Sequence, residues 1–226
     1  MRVDVAFTPA ESAAAPVAIV VDLMRATSTF AQALASGYPA VYAAAGIDEA
    51  RAVRDALGEG LLGGERNALK IEGFDVGASP REFLEARAET LILSTTNGTR
   101  TIVTASERCD EVLIGSLLNL AAVAAAAREW GEDVAILCAG YKGAFALDDA
   151  YCAGRFVQLL DGERTDAAVA AEAIANAYPS ALAGLNARTY GPPGLEEDIA
   201  FCARESVLTA VPRFAGMQGP AAEILV

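Results

Sequence analysis

The chain has 226 residues, no histidine and a net charge of −13 at neutral pH. The missing imidazole excludes Ser-His-Asp triads, phosphohistidine intermediates and histidine-held zinc. The negative charge argues against a nucleic-acid or anionic-membrane partner, both of which rely on basic patches. Any anionic ligand must be gripped locally, and any catalysis falls to carboxylates, hydroxyls, lysine, arginine, cysteine or a hard cation.

The apolar fraction, 54%, is largely alanine, which favours helix, and no apolar run is long enough to span a bilayer. Met1 to Pro9 carries Asp4 and lacks a cationic start followed by an apolar core, so no secretory signal is expected and the cytoplasm is the expected location. Cys109, Cys138, Cys152 and Cys202 show no metal-type spacing and are expected to be reduced. The length suits one domain over residues 1–226, or two intimately packed lobes.

In chain order, Val17–Leu23 is an apolar, β-branched run that predicts a doubly covered strand. A polar turn, Arg25 to Thr29, leads into a helix ending at Gly37. Ala40–Ala44 reads as a strand, Ile47–Leu57 as a helix, and Leu61-Leu62 as the start of another strand. Residues 65–78 read as a long irregular loop, and Ser79-Pro80 as the cap of a helix through Arg87. Strand Thr90–Ser94, turn Thr95–Thr99 and helix Arg100–Ser106 follow, then strand Glu111–Gly115 and helix Asn119–Trp130. Strand Val134–Cys138 precedes a glycine-bearing turn and a helix through Asp148, Asp149 and Tyr151. Helical segments follow residue 162, with a last strand expected near Val207–Val211. This alternation predicts an α/β fold: three layers, α/β/α, around a mainly parallel or mixed sheet.

Ligands of such sheets bind where strands hand over to helices at their carboxyl ends. Asp22 and Arg25, with Thr27, Ser28 and Thr29 at a helix start, suit an anion or a metal–anion pair. They equally suit a strand end followed by an ordinary helix cap. Thr95, Thr96, Asn97 and Gly98 form a second candidate cradle without the lysine of a Walker loop. In the segment 63–77, Glu65 and Asp75 offer hard oxygens for a divalent cation and Arg66 offers a fork for phosphate, unless the stretch is a solvated loop. Asp148 and Asp149 are adjacent, so on a helix only one of them faces a given site. No cysteine is followed by the arginine a cysteine phosphatase needs, and Met24 stands where an aspartyl-phosphate enzyme has its second aspartate. Metal-assisted attack by water or by a carboxylate remains.

VVDLMRATST, GGERNALKIEGFDVGASP, STTNGT, CAGYKGAFALDDAYCAG and EDIAFC, in that order over nearly the whole chain, resemble the motif series of the 2-phosphosulfolactate phosphatases. The resemblance implies a magnesium-dependent hydrolase releasing sulfolactate and phosphate from 2-phosphosulfolactate, a step that in archaea belongs to coenzyme M synthesis. Ala68 and Ala78 depart from the glycine and asparagine usual in those motifs, which bears on substrate identity. A related sulfonated or carboxylated phosphoester is therefore a candidate substrate too.

On this reading Mg²⁺ is held by Asp22, Asp75 and Glu65 or Asp149, with Asp22 as base or nucleophile. Arg25, Arg66, Lys142, residues 27–29 and residues 95–98 neutralise the small anionic phosphoester. Two other readings stay open: a phosphate or sugar-phosphate binding module without turnover, and an aldolase or isomerase with a Schiff base on Lys142. The oligomeric state is open as well, a homodimer included.

Overall fold

The computed structural model describes residues 1–11 and 13–226. Its elements, in chain order, are β1 (Arg2–Ala6), β2 (Val17–Val21), α1 (Ala26–Ala35), β3 (Ala40–Ala44), α2 (Ile47–Leu57), β4 (Leu61–Arg66) and β5 (Leu69–Lys70). After a 3₁₀ turn at Pro80–Phe83 come β6 (Thr90–Ser94), α3 (Gly98–Ser106), β7 (Glu111–Gly115), α4 (Leu120–Trp130), β8 (Val134–Cys138) and α5 (Leu147–Leu159). The chain ends with β9 (Glu163–Arg164), α6 (Asp166–Asn176), α7 (Ala181–Asn186), α8 (Glu196–Cys202), β10 (Arg213–Gln218) and β11 (Ala221–Leu225). Among the described residues no helix is long and apolar enough to cross a membrane.

The strands join in one mixed sheet of order β5-β4-β6-β3-β11-β10-β7-β2-β8-β1-β9. Two parallel blocks, β4-β6-β3 and β7-β2-β8-β1, are spliced by the antiparallel hairpin β10–β11. Strand alternation explains the layers. Ala18 and Val20 of β2, Val112 and Ile114 of β7, and Val41, Ala43, Leu91 and Leu93 of β3 and β6 share one core with Phe30 of α1 and Ile102 of α3. Both helices contact strands of both blocks, so α1 and α3 lie in the crook of the sheet. On the opposite face, Ile19, Leu113 and Ile136 meet α4, α5 and α6, while Tyr42, Leu62 and Ile92 meet α2. The result is the expected α/β architecture, with a mixed sheet between two helical layers.

Three local expectations are corrected. Residues 65–78 are not one irregular loop: β4 runs to Arg66 and reverses tightly through Asn67 and Ala68, both at positive φ, into β5. The expected helix from Ser79 to Arg87 is a single 3₁₀ turn, which the Ser79 hydroxyl caps by accepting from Arg81 N. The expected strand at 207–211 is an irregular segment, in which Ser206 N and Leu208 N donate to Leu117 O and Leu118 O. The final strands come after Pro212, where the chain turns at Gly219-Pro220 and splices the two blocks.

Candidate active site

Strand β2 ends at Val21, fully buried on both faces, and delivers Asp22 to the edge where α1 begins. Strand β6 does the same for Thr95, where α3 begins. These two handovers meet. A Cβ on Gly98 would lie 2.7 Å from Asp22 Oδ2 and 2.6 Å from the Ala26 methyl, so glycine is required for the approach. The N–H groups of Ala26 and Gly98 face the Asp22 carboxylate, placing it at the positive ends of both helices.

Around Asp22 is a narrow cleft of about 60 Å³, room for roughly four or five waters. Six chain segments wall it: the β2–α1 turn, the β4–β5 turn, Ala78 ahead of the 3₁₀ turn, the β6–α3 turn, the β8–α5 loop and the α7–α8 loop. Asp22 is 8% exposed. Burial, and then the charges of Asp148 and Glu65, raise its pKa to about 7.

Two polar clusters stand around the cleft, one about Glu65 and one about Asp148, and the charges of both act on Asp22. In the first, Glu65 accepts from Thr96 N at 3.0 Å, from the Thr96 hydroxyl at 2.8 Å and from Ala68 N at 2.6 Å. Arg25 donates to Asp198 at 2.6 Å and to Ala68 O at 3.1 Å. Asp198 also accepts from the Ser79 hydroxyl at 2.6 Å. In the second, buried Asp148 accepts from the Tyr190 hydroxyl and stands 3.7 Å from Arg188. The Tyr190 ring stacks on Tyr141 at 4.7 Å, and Lys142 Nζ lies 5.4 Å from the Tyr141 centroid.

Of the residues expected from sequence, Asp22, Arg25, Glu65, Thr95, Thr96, Asn97 and Lys142 line this cleft, and Gly98 closes its floor beside Asp22. The others are placed elsewhere. Thr27, Ser28 and Thr29 are fully buried, and their hydroxyls donate to Asp22 O, Leu23 O and Ala78 O. They fasten α1 to its surroundings and offer no hydroxyl to a ligand. Arg66 spends its guanidinium on Glu65 O, Ser94 O, Ala45 O and the Ser94 hydroxyl, so it pins β4 to β6. Asp75 is exposed and accepts from Leu62 N at 2.8 Å, back along β4 from Glu65. Asp149 is buried with one oxygen on Leu23 N and the other on Gly140 N, so it ties α5 to two strand ends. Neither Asp75 nor Asp149 lines the cleft.

Sequence reasoning passed over Arg188, Tyr190 and Leu195, all cleft residues, and the partner role of Asp198. Residue types there gave no direction, because the stretch after residue 162 read only as helical segments. Among the described residues no group of three or more carboxylate, thiol or imidazole side chains is arranged to hold a metal by itself.

A sequence model of the family described as 2-phosphosulpholactate phosphatase matches residues 5–216. A probable 2-phosphosulfolactate phosphatase of Thermus thermophilus is 40% identical, with 98% of each chain covered. Proteins of the same description from Symbiobacterium thermophilum and Clostridium acetobutylicum are 39% and 37% identical, covering 91% and 87% of this chain and 94% and 88% of theirs. Matched over almost its whole length, the chain belongs to the 2-phosphosulpholactate phosphatase family, a family of phosphate-monoester hydrolases.

Proposed function

We propose that the protein hydrolyses 2-phosphosulfolactate, or a short phosphorylated acid close to it, to the hydroxy acid and phosphate, with magnesium as the cation. One observation carries the reading: a buried carboxylate, Asp22, sits in a small cleft at the meeting of two helix N-termini. Helix N-termini favour a phosphoryl group, and a carboxylate beside them is placed to accept the attacking water's proton.

The donor set fits magnesium in the way that ion is commonly held, by one or two carboxylates with water and substrate oxygens completing the shell. Asp22 and Glu65 are the two that would hold it, since both line the cleft. Bound there, the ion would supply positive charge to the phosphoryl oxygens and would acidify a water. Asp22 is placed to orient the attacking water and accept its proton. Thr96, through its N–H and hydroxyl, fixes Glu65 in place. Arg25 keeps donors beyond the two it gives to Asp198 and Ala68 O, and with the first turns of α1 and α3 it grips the phosphoryl oxygens. The Schiff-base alternative needs a desolvated lysine, whereas Lys142 is exposed.

Phosphate release from a panel of short phosphorylated hydroxy acids, sulfonated and not, tests the reading. Release from 2-phosphosulfolactate that stops on chelation is expected; no release from any member with magnesium present overturns it.

A further inference from the structure

Arg188 lines the cleft with 9% of its side chain exposed, yet its guanidinium makes no hydrogen bond among the described residues. Its nearest carboxylate oxygen, on Asp148, is 3.7 Å away, beyond hydrogen-bond reach. No fully enclosed side-chain nitrogen in the described residues lacks a partner, so the unspent donors of Arg188 are not sealed in protein, and the residue lines the cleft. A guanidinium taken out of water normally recovers the cost through hydrogen bonds. One held with its fork empty, in a chain of net charge −13, is built to receive an anion.

The side chain is also held still. Asp148 lies against it, itself fixed by the Tyr190 hydroxyl. At Gly191, where φ is +91°, the backbone passes beside the guanidinium, and a Cβ there would be in ordinary contact with Arg188 Cζ at 3.9 Å. Asp22 feels the charges of both Asp148 and Glu65. The Glu65 side holds the carboxylate pair and the tethered Thr96, which suit the phosphoryl group. That leaves the Arg188 side, with Lys142 and Tyr190, for whatever else the substrate carries.

We propose that Arg188 binds a second anionic group on the substrate, a sulfonate or carboxylate beside the phosphoester, and thereby selects multiply acidic phosphoesters over simple ones. The inference rests on the phosphatase reading of the same cleft for its kinetic test, and has a binding test independent of turnover.

The experiment measures kcat and KM of the wild type, Arg188→Gln and Arg188→Lys on four esters. They are 2-phosphosulfolactate, 2-phospholactate (carboxylate only), 2-phosphooxyethanesulfonate (sulfonate only) and p-nitrophenyl phosphate (neither). For Arg188→Gln, KM for 2-phosphosulfolactate is expected to rise on the order of 10- to 100-fold, the range for a lost charged hydrogen bond, with kcat within about threefold. The kcat/KM for p-nitrophenyl phosphate stays within about threefold, and Arg188→Lys recovers part of the loss by keeping the charge without the fork. Whichever singly acidic ester shares the KM increase identifies the group that Arg188 holds. An equal fall in kcat on all four esters, or no change on any, overturns the proposal. Should no ester release phosphate, the phosphatase reading fails, and calorimetric binding of sulfolactate decides the inference alone. Affinity lost in Arg188→Gln supports it; equal affinity, or no binding to the wild type, overturns it.

Discussion

Arg25 and Arg188 have equally buried side chains, each 9% exposed, in the wall of one cleft, and they differ in what holds them. Arg25 is clamped: one nitrogen is 2.6 Å from Asp198 and another 3.1 Å from Ala68 O, so it joins α8 to the β4–β5 turn. Arg188 is braced at 3.7 Å from Asp148 without a hydrogen bond. Burial and proximity to a cleft therefore say little about a residue's task; the count of unspent donors says more. The Arg25 side of the cleft is cross-linked within the protein and keeps only part of its guanidinium for a ligand, whereas all the donors on Arg188 are unspent.

The comparison breaks most directly at Arg25. Arg25→Ala removes the 2.6 Å partner of buried Asp198 and leaves it the Ser79 hydroxyl and Arg81 at 3.7 Å, which is expected to cost up to about 3 kcal/mol. For a chain of this size that lowers the melting temperature by up to roughly 12 °C. A melting temperature within a degree or two of the wild type means that the clamp is not structural.

Asp22 feels the charges of both Glu65 and Asp148, and Asp22→Asn keeps its shape while removing its own charge. We expect kcat/KM to fall at least about a hundredfold, on the order of 3 kcal/mol. Near-normal turnover in steady-state assays removes Asp22 from the mechanism. Gly98→Ala probes the floor that the two sides share. The added methyl would meet Asp22 and Ala26 inside contact distance, a strain of about 1–3 kcal/mol. Lower activity together with lower stability is the expected result, and a variant that melts and turns over like the wild type shows that the approach is looser than drawn.

The gentlest probe is pH. The Asp22 carboxyl is raised from its ordinary 3.8 to about 7, so between these values the native state holds a proton that the unfolded chain has lost. Stability of the metal-free protein is then full below about pH 4 as far as this group is concerned, and declines as pH rises towards 7. The slope is at most about 1.4 kcal/mol per pH unit. Burial raises the pKa of Asp148 and Asp149 as well, so denaturant titrations across that window should show a steeper decline in the wild type than in Asp22→Asn. Matching slopes in the two proteins assign the decline to other groups.

The strand–helix rhythm could be read directly, because β2, β6 and β8 are apolar runs covered on both faces and their neighbouring helices carry apolar stripes. Asp22 and residues 95–98 could be located as strand-end turns for the same reason. Side-chain direction could not. Thr27, Ser28 and Thr29 read as anion donors because hydroxyls at a helix start often are, but a position one residue into α1 turns them to backbone carbonyls. Arg66 and Asp75 sit in a stretch rich in charge and glycine, which concealed a hairpin that turns Arg66 to Ser94 and, beyond it, a return of the chain that sets Asp75 against Leu62 N. Asp148 and Asp149 could be told apart only by the turn of α5, which sends Asp149 to Leu23 N and Gly140 N.

By itself the sequence determined the chemistry open to this protein: no imidazole, a negative chain, oxygen ligands and strand-end turns in an α/β order. Those properties are carried by residue type and local periodicity, which need no knowledge of distant neighbours. Tertiary structure alone decided which charges meet. Asp22 faces Gly98, Arg25 finds Asp198, and Arg188 reaches the cleft with its donors unspent, through contacts between segments far apart in the chain, where packing rather than local pattern sets direction.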